Sequence, residues 1–466
     1  MLEPIVWSEL FAGVPVAFQV LFWIALTLTV ISFVSIAVLA IAGFRYRRGR
    51  RRLIPEGAPG EDDFLWVFVV PALDEEVTIA DSVARLLDAE AHRAVVLVVD
   101  DGSTDRTGEI LRGIDDPRLR VLTRTAPNAR RGKAAALNEA YRHIRDELLT
   151  EPAFSGIADD RVIVGIIDAD GRLERHAPAR VAWHFADPLT AGVQVLVRIY
   201  NANRFLTWAQ DVEFSSFGLV YQAGRASWGT ANMGGNGQFN RLSALTSIAV
   251  DDGPWRDRLT EDQDLGVRLI QAGWHGAQEN GAAIDQQGVP ALRRLYRQRV
   301  RWAQGGWQAL GLIGGSARLE QGVIARVDAV HYLLTPVLIS IAGLDFFATI
   351  VLAVALQVPV IPASLTVLLL FLTLGFGPGF ITLFLRGRGI RGLLLALVET
   401  VPYAVYTWIV FPVFLTALVR HWSGRTSWAK TAREAIDTGL PEPVDPLAAE
   451  QVEPEGTGGI AGRAAG

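Results

Sequence analysis

Four long stretches almost without charge bracket a polar middle in this 466-residue chain, and that arrangement limits what it can fold into. They run from Val16 to Gly43, Tyr332 to Val358, Ile361 to Leu385 and Leu393 to Val419. Each exceeds the roughly 20 apolar residues that cross a bilayer. Buried core helices rarely reach such length, so the first three read as membrane spans. The fourth holds Glu399, Pro402 and Pro412, which points to a kinked or partly interfacial course. The first stretch is not a cleaved signal peptide, because its basic cluster follows the apolar run instead of preceding it.

That cluster, Arg45-Tyr46-Arg47-Arg48-Gly49-Arg50-Arg51-Arg52, places the end of the first span in the cytoplasm. The N-terminus is then outside and the large middle region cytoplasmic, in a multi-pass protein of the cell membrane. Arg386, Arg388 and Arg391 fit two crossings after the middle region. A full fourth crossing puts the tail outside, whereas Arg420, His421, Arg425, Lys430 and Arg433 favour the inside. The expected divisions are a span with its basic flank (1–52), a cytoplasmic domain (53–289), interfacial helices (290–328), about three membrane helices (329–420) and a tail (421–466). Pro441 to Gly466 is rich in Pro, Gly and Glu without periodicity and is expected to be disordered. With no cysteine, disulfide frameworks and thiolate metal sites are excluded. The net charge is −5, so the many arginines do not make a nucleic-acid surface.

Within the middle region, Leu65–Val70, Ala94–Val99, Leu119–Leu122 and Val162–Ile167 are apolar runs of strand length. Helical patterns such as Thr78–Ala89 and Gly132–Leu149 alternate with them, which predicts an α/β domain with a mostly parallel sheet. Ligands of such sheets sit beyond the carboxyl ends of the strands. Two acidic motifs fall there. Asp100-Asp101-Gly102-Ser103 leaves one strand, with Ser103 or Thr104 able to cap the next helix. Capping does not need paired carboxylates, and one of them suits a nucleobase imide or a ribose hydroxyl. Asp168-x-Asp170 leaves another strand. Its two carboxylates repel unless a cation joins them, and oxygen ligands suit Mg²⁺ or Mn²⁺ bridging to phosphates.

Three further motifs carry chemistry. Lys133, beside a helix start, suits a diphosphate, although a solvated helix start explains it too. Thr260-Glu261-Asp262 opens a helix. Thr260 as cap with acidic residues in the first turn is an adequate structural account; the functional one makes Asp262 a general base. Gln298, Arg301 and Trp302 occupy one face of a helix over Pro290–Leu310, where an amide, a guanidinium and an indole can meet a diphosphate and a sugar. A merely interfacial helix is the bland alternative. Gly234-Gly235-Asn236-Gly237-Gln238-Phe239 reads as a tight loop without the Gly-Lys-Ser/Thr of a P-loop.

As an ordered set, Pro71 to Glu76, Asp100 to Ser103, Lys133, Asp168-x-Asp170, Thr260-Glu261-Asp262 and Gln298-x-x-Arg301-Trp302 resemble the processive family 2 glycosyltransferases. Cellulose, hyaluronan, chitin and poly-N-acetylglucosamine synthases are members. The resemblance spans Phe64 to Trp302 and implies a GT-A-type domain with a mostly parallel mixed sheet, inserted between transmembrane helices. It further implies a nucleotide-sugar donor, with a UDP-sugar expected first, Mg²⁺ or Mn²⁺, and inversion at the anomeric carbon. By position it assigns Ala72, Leu73, Glu75 and Asp101 to the nucleoside, and Lys133, Asp168 and Arg301 to the rest of the donor. Asp168 and Asp170 would hold the metal, Asp262 would be the catalytic base, and Gln298, Trp302 and Glu261 would meet the acceptor. The acceptor implied is a growing polysaccharide exported through the membrane helices, with or without an accessory subunit. Asp74 stands where relatives often have Asn, and the Gly234–Gln238 loop differs from the acceptor-site sequences of cellulose and hyaluronan synthases. Two alternatives stand beside this reading: transfer of one sugar to a lipid, and an inactive membrane scaffold or transport component.

Overall fold

A computed structural model describes residues 11, 13–50, 56–357, 365–387, 389–410 and 412–424. Arg51, Arg52, Ile361, Arg388, Arg425, Lys430, Arg433 and the Pro441–Gly466 tail lie outside the described residues.

The middle region forms an eight-stranded mixed sheet in the order β3-β2-β1-β4-β7-β6-β8-β5. The strands are β1 (Leu65–Ala72), β2 (Ala94–Asp100), β3 (Leu119–Thr123), β4 (Val162–Ile166), β5 (Arg172–Leu173), β6 (Thr190–Ile199), β7 (Gln238–Arg241) and β8 (His275–Gln286). β1, β2, β3 and β4 pair in parallel; β7 runs antiparallel between β4 and β6. The expected mostly parallel sheet is therefore present, with four strands that the sequence reading did not assign.

β1 has almost no polar residue because both of its faces are covered. Trp66, Phe68 and Val70 enter one core, shared with Ile79, Val83 and Leu86 of α2 (Ile79–Leu87). Leu65, Val67 and Val69 enter the other, shared with Leu137, Ala140 and Ile144 of α4 (Lys133–Asp146). Between them in sequence, α3 (Thr107–Arg112) follows β2. The register Ala72↔Asp100 and Val69↔Ile166 brings the carboxyl ends of β1, β2 and β4 to one edge of the sheet.

Beyond the sheet lie α1 (Val16–Arg50), α5 (Phe205–Ser216), α6 (Glu261–Gln271), α7 (Leu292–Ala309), α8 (Val323–Leu356), α9 (Leu365–Arg386), α10 (Gly389–Val410) and α11 (Pro412–Trp422). Among the described residues, Val16–Gly49, Val323–Leu356 and Gly389–Trp422 are long and apolar enough to cross a membrane. A fourth candidate is the pair Leu365–Gly377 and Gly379–Arg386, bent by 46°.

The apolar helices are fastened to the domain by close backbone contact and by charge. A Cβ on Gly224 would stand 2.6 Å from the Leu39 carbonyl oxygen of α1, so only glycine allows that approach. Arg386, at the end of α9, pairs with Asp211 of α5. Arg225 pairs with Asp328 of α8 at 2.7 Å, both side chains buried, and its guanidinium lies 4.4 Å from the Tyr332 ring.

The last helices follow the domain's own helices. Ala396 packs with Val212 of α5, and Val413 and Ala417 pack with Val300 and Ala303 of α7. Tyr296 Oη and Thr416 Oγ1 are 2.6 Å apart, and His421 stacks on Trp307. Pro402 lies inside α10. The described end of the chain thus rests on α7, which puts Arg420 and His421 on the domain's side of these helices.

The Arg225–Asp328 pair gives a stability prediction. Asp328→Ala leaves a buried guanidinium without its partner and should cost about 3–5 kcal/mol, whereas replacing both residues by leucine or methionine should cost much less. Unfolding of the detergent-solubilised chain measures this; equal losses would contradict it.

Candidate active site

One cavity of about 420 Å³ opens at the strand edge. It is bounded by the ends of β1, β2 and β4, the first turns of α4 and α6, and one face each of α5 and α7.

At one end lie Ala72, Leu73, Glu75 and Asp101. The turn after β1 places Asp74 at φ 52°, in the left-handed region that a non-glycine residue occupies only when held there. Its backbone N–H donates to Ser103 Oγ at 2.9 Å, and its carboxylate accepts from Thr104 N at 2.7 Å and from Arg130. Ser103 and Thr104 therefore do not cap a helix. They tie two loops together, and α3 starts later, at Thr107, with no side-chain cap. The Asp100–Asp101 pair also divides its work. Asp100 accepts from Ser103 N, while buried Asp101 accepts from Arg124 Nη1 at 2.5 Å and Arg130 N at 3.0 Å. Burial pushes the Asp101 carboxyl above its usual range, with Arg130 and Arg124 opposing it.

Deeper in the cavity, Lys133 Nζ donates to Asp168 Oδ1 at 2.6 Å and stands 3.6 Å from Glu261 Oε1. The cation that relieves Asp168 is thus an ammonium of the protein itself. Asp170 is buried and accepts from Gln287 N at 3.0 Å. It does not line the cavity, although Asp168 does. Among the described residues, no group of three or more His, Cys, Asp or Glu side chains is placed to hold a metal. Mg²⁺ and Mn²⁺ bound through one or two carboxylates and completed by phosphate oxygens need no such cage. Asp168, on the cavity wall, is a hard-oxygen donor that fits that mode, and Asp170 stands two residues on, behind the wall.

Glu261 and Asp262 enter the cavity from the first turn of α6. Thr260 precedes that helix but makes no side-chain capping bond; its hydroxyl donates to Gln263 Oε1 instead. The glycine loop lies against Asp262. Gly235 has φ +80°, and a Cβ there would stand 2.8 Å from Asp262 Oδ2. Burial raises the Asp262 carboxyl's pKa, with Lys133 pulling it down. Burial likewise pushes Glu261 up to about 7, against the attraction of Lys133 and with the repulsion of Asp262. Burial alone would lower the Lys133 ammonium, but Asp168 and Glu261 beside it hold it well above its ordinary value.

The remaining wall comes from α7, where Gln298, Arg301 and Trp302 all line the cavity. The Trp302 ring meets Phe214 edge-on at 6.0 Å, and the Arg299 guanidinium lies 4.2 Å from it. Sequence reasoning missed Phe214, Phe217, Tyr332 and Asn236, which line the same cavity. The helical pattern of Phe205–Ser216 was the available signal for Phe214, and Phe217 follows directly after it. Tyr332 was hidden at the start of an apolar segment. Asn236 holds Asp168 N through its Oδ1 at 3.0 Å.

The profile described as "Glycosyltransferase like family 2" matches residues 66–305. A beta-monoglucosyldiacylglycerol synthase of Synechocystis sp. is 33% identical over 52% of this chain and 47% of its own. A poly-beta-1,6-N-acetyl-D-glucosamine synthase of Staphylococcus aureus is 27% identical over 52% of this chain and 55% of its own. The chain thus spans about half the length of these curated relatives. A mannosyltransferase from Pyrobaculum calidifontis, solved with GDP-Man and Mn²⁺, superposes with a TM-score of 0.55 at 20% identity, over 87% of this chain and 99% of that one. At that identity the likeness shows the fold, which is of the GT-A type expected.

The carboxylate cluster predicts a pH dependence of stability. Glu261 has its pKa raised from 4.5 to about 7 on folding. Its contribution is fully present below the unfolded value and is lost as pH rises through about 7. Melting midpoints of the ligand-free protein should therefore fall between pH 5 and pH 8, and Glu261→Gln should flatten that fall. An equally steep fall in the variant would contradict the assignment.

Proposed function

The chain belongs to glycosyltransferase family 2, and from that premise we propose that it transfers one hexosyl group from a nucleotide sugar to a membrane lipid, with inversion at the anomeric carbon. The observation that carries this reading is a single cavity with two unlike walls. One wall is charged, with Lys133, Asp168, Glu261, Asp262 and Arg301. The other is aromatic, with Phe214, Phe217, Trp302 and Tyr332, drawn from helices packed on the membrane segments or belonging to one. An acceptor that brings an apolar body to a polar reaction centre suits such a cavity.

Ala72, Leu73, Glu75 and Asp101 receive the nucleoside; Lys133 and Arg301 balance the diphosphate. Mg²⁺ or Mn²⁺ held at Asp168 and Asp170 would supply further stabilisation of the departing diphosphate. In the transfer, the acceptor hydroxyl oxygen bonds to the anomeric carbon from the face opposite the diphosphate. The carbon–oxygen bond to the β-phosphate breaks and its electron pair leaves with the nucleoside diphosphate. The hydroxyl proton passes to Asp262, whose raised pKa makes it a better acceptor. Glu261 stands beside Lys133 and, with Gln298 and Trp302, faces the acceptor.

The relative from Synechocystis sp. is named for a glycolipid product, which agrees with this reading. The presence of Gln298, Arg301 and Trp302 together on the cavity favours a second one, repeated transfer onto a polysaccharide, the product named for the relative from Staphylococcus aureus. Export, with or without an accessory subunit, belongs to that second reading.

The test is product mass. The full chain in lipid nanodiscs receives a panel of nucleotide sugars with Mg²⁺ or Mn²⁺, and mass spectrometry reads the lipids. A single hexosyl added to a lipid is expected; a ladder of sugars favours the polymer, and no product with any donor contradicts both. Asp262→Asn should slow transfer by about 10²–10⁴-fold while donor affinity changes little. Near-normal turnover would remove Asp262 from the role. Excess chelator should abolish transfer; full activity in its presence would exclude the metal at Asp168.

A further inference from the structure

Glu213 lines the cavity from α5, and none of the roles above uses it. Its Oε2 accepts from Arg299 Nη2 at 2.6 Å and from Tyr406 Oη at 2.7 Å. Those donors come from α7 and from α10, so two helices fix the carboxylate in place. Arg299 is almost fully buried, which makes this a rigid, charge-assisted contact. Both bonds fall on one oxygen. Oε1 makes none among the described residues, and the side chain is 37% exposed.

Aromatic faces surround this carboxylate. Phe217 stands one helical turn after it, where the helix widens into a π-helical turn, Phe217–Gln222. Such turns recur at functional sites. The Phe217 ring comes within 3.5 Å of where a Cβ on Gly234 would stand, so this wall reaches the glycine loop that abuts Asp262. Phe214 holds the Trp302 ring edge-on. A fixed carboxylate oxygen among aromatic faces is the chemistry that holds a polyol. Its C–H faces pack on the rings, and its hydroxyls donate to the oxygen. An anionic headgroup would meet repulsion from Glu213 as well as from Asp262 and Glu261.

We infer that Glu213 is a specificity-determining residue for the acceptor: its Oε1 accepts a hydrogen bond from a non-reacting hydroxyl of the neutral sugar headgroup of a lipid, seated between Phe217 and Trp302. This rests on the transfer reading above.

The test uses the full chain in phosphatidylcholine nanodiscs, with monoglucosyl dioleoylglycerol as acceptor. Glu213→Gln keeps the shape and an oxygen for Arg299 and Tyr406, but replaces Oε1 by a donor. Its acceptor KM should rise about tenfold or more, as expected for a lost hydrogen bond to a charged group. Its donor KM and its donor hydrolysis without acceptor should move by less than about twofold, a split that loss of folding does not produce. Tyr406→Phe, which removes a bond only from Oε2, should leave acceptor KM within about threefold. Phe217→Ala touches no ion pair and should raise acceptor KM in the same direction, so the idea stays testable if Glu213→Gln fails to fold. An unchanged acceptor KM in both Glu213→Gln and Phe217→Ala, with wild type active on lipid, sinks this inference alone. A wild-type protein that transfers to no lipid overturns the lipid reading and this inference together.

Discussion

Lys133 is the one lysine among the described residues, and the site is arranged around it. Asp168, Glu261 and Asp262 come from two separate elements, and in a low-dielectric cavity three such carboxylates repel one another. The ammonium between them is what allows the loop after β4 and the first turn of α6 to converge. The convergence is incomplete, because Glu261 and Asp262 still have raised pKa values. That residual tension is useful to a transfer site: a carboxyl held above its ordinary range takes up a proton more readily. Under the proposed function, a diphosphate arriving at the cluster would compete with Asp168 for Lys133.

The aromatic wall of the cavity comes from α5, α7 and the Tyr332 turn of α8, and the way the apolar helices are attached behind it explains its shape. Apolar helices gain little by packing on one another in lipid, so charge and close backbone contact must fix their position. Three pairs do so: Arg386 with Asp211, Arg225 with Asp328, and Glu213 with Arg299 beside Tyr406. The first two join a helix of the domain to an apolar one; the third joins α5 to α7 and reaches α10 through Tyr406. The second also orients Tyr332, and the third boxes Trp302 through Arg299. Aromatic residues at the cavity thus take their positions from ion pairs at its edge or behind it.

How much of this was legible in the sequence depends on whether local pattern or tertiary pairing decides a feature. β1, β2 and β4 are apolar runs buried on both faces, and their carboxyl ends carry Ala72, Asp100 and the Asp168 turn as expected. β8 was not legible: His275–Gln286 contains Glu279, Asn280 and Gly281 and is a strand because β6 pairs with it. β7 is four residues hidden behind the glycine loop. The capping roles expected of Ser103, Thr104 and Thr260 failed for a common reason. Each hydroxyl bonds another side chain or a loop N–H instead, a choice set by neighbours distant in sequence or by the next turn. Gln298, Arg301 and Trp302 were found by spacing alone, whereas Glu213 and Phe217 carry no motif and emerge only when α5 is laid against α7.

The central claim is that one cavity receives a nucleoside diphosphate at its charged wall and a lipid headgroup at its aromatic wall. It is tested most directly by determining the structure of the full chain in a lipid nanodisc with a nucleoside diphosphate, Mn²⁺ and diacylglycerol. The account predicts diphosphate density beside Lys133 and Arg301, Lys133 drawn away from Asp168, and a headgroup between Asp262 and Trp302. A nucleotide bound elsewhere, or a lipid headgroup that does not enter between Asp262 and Trp302, would contradict it.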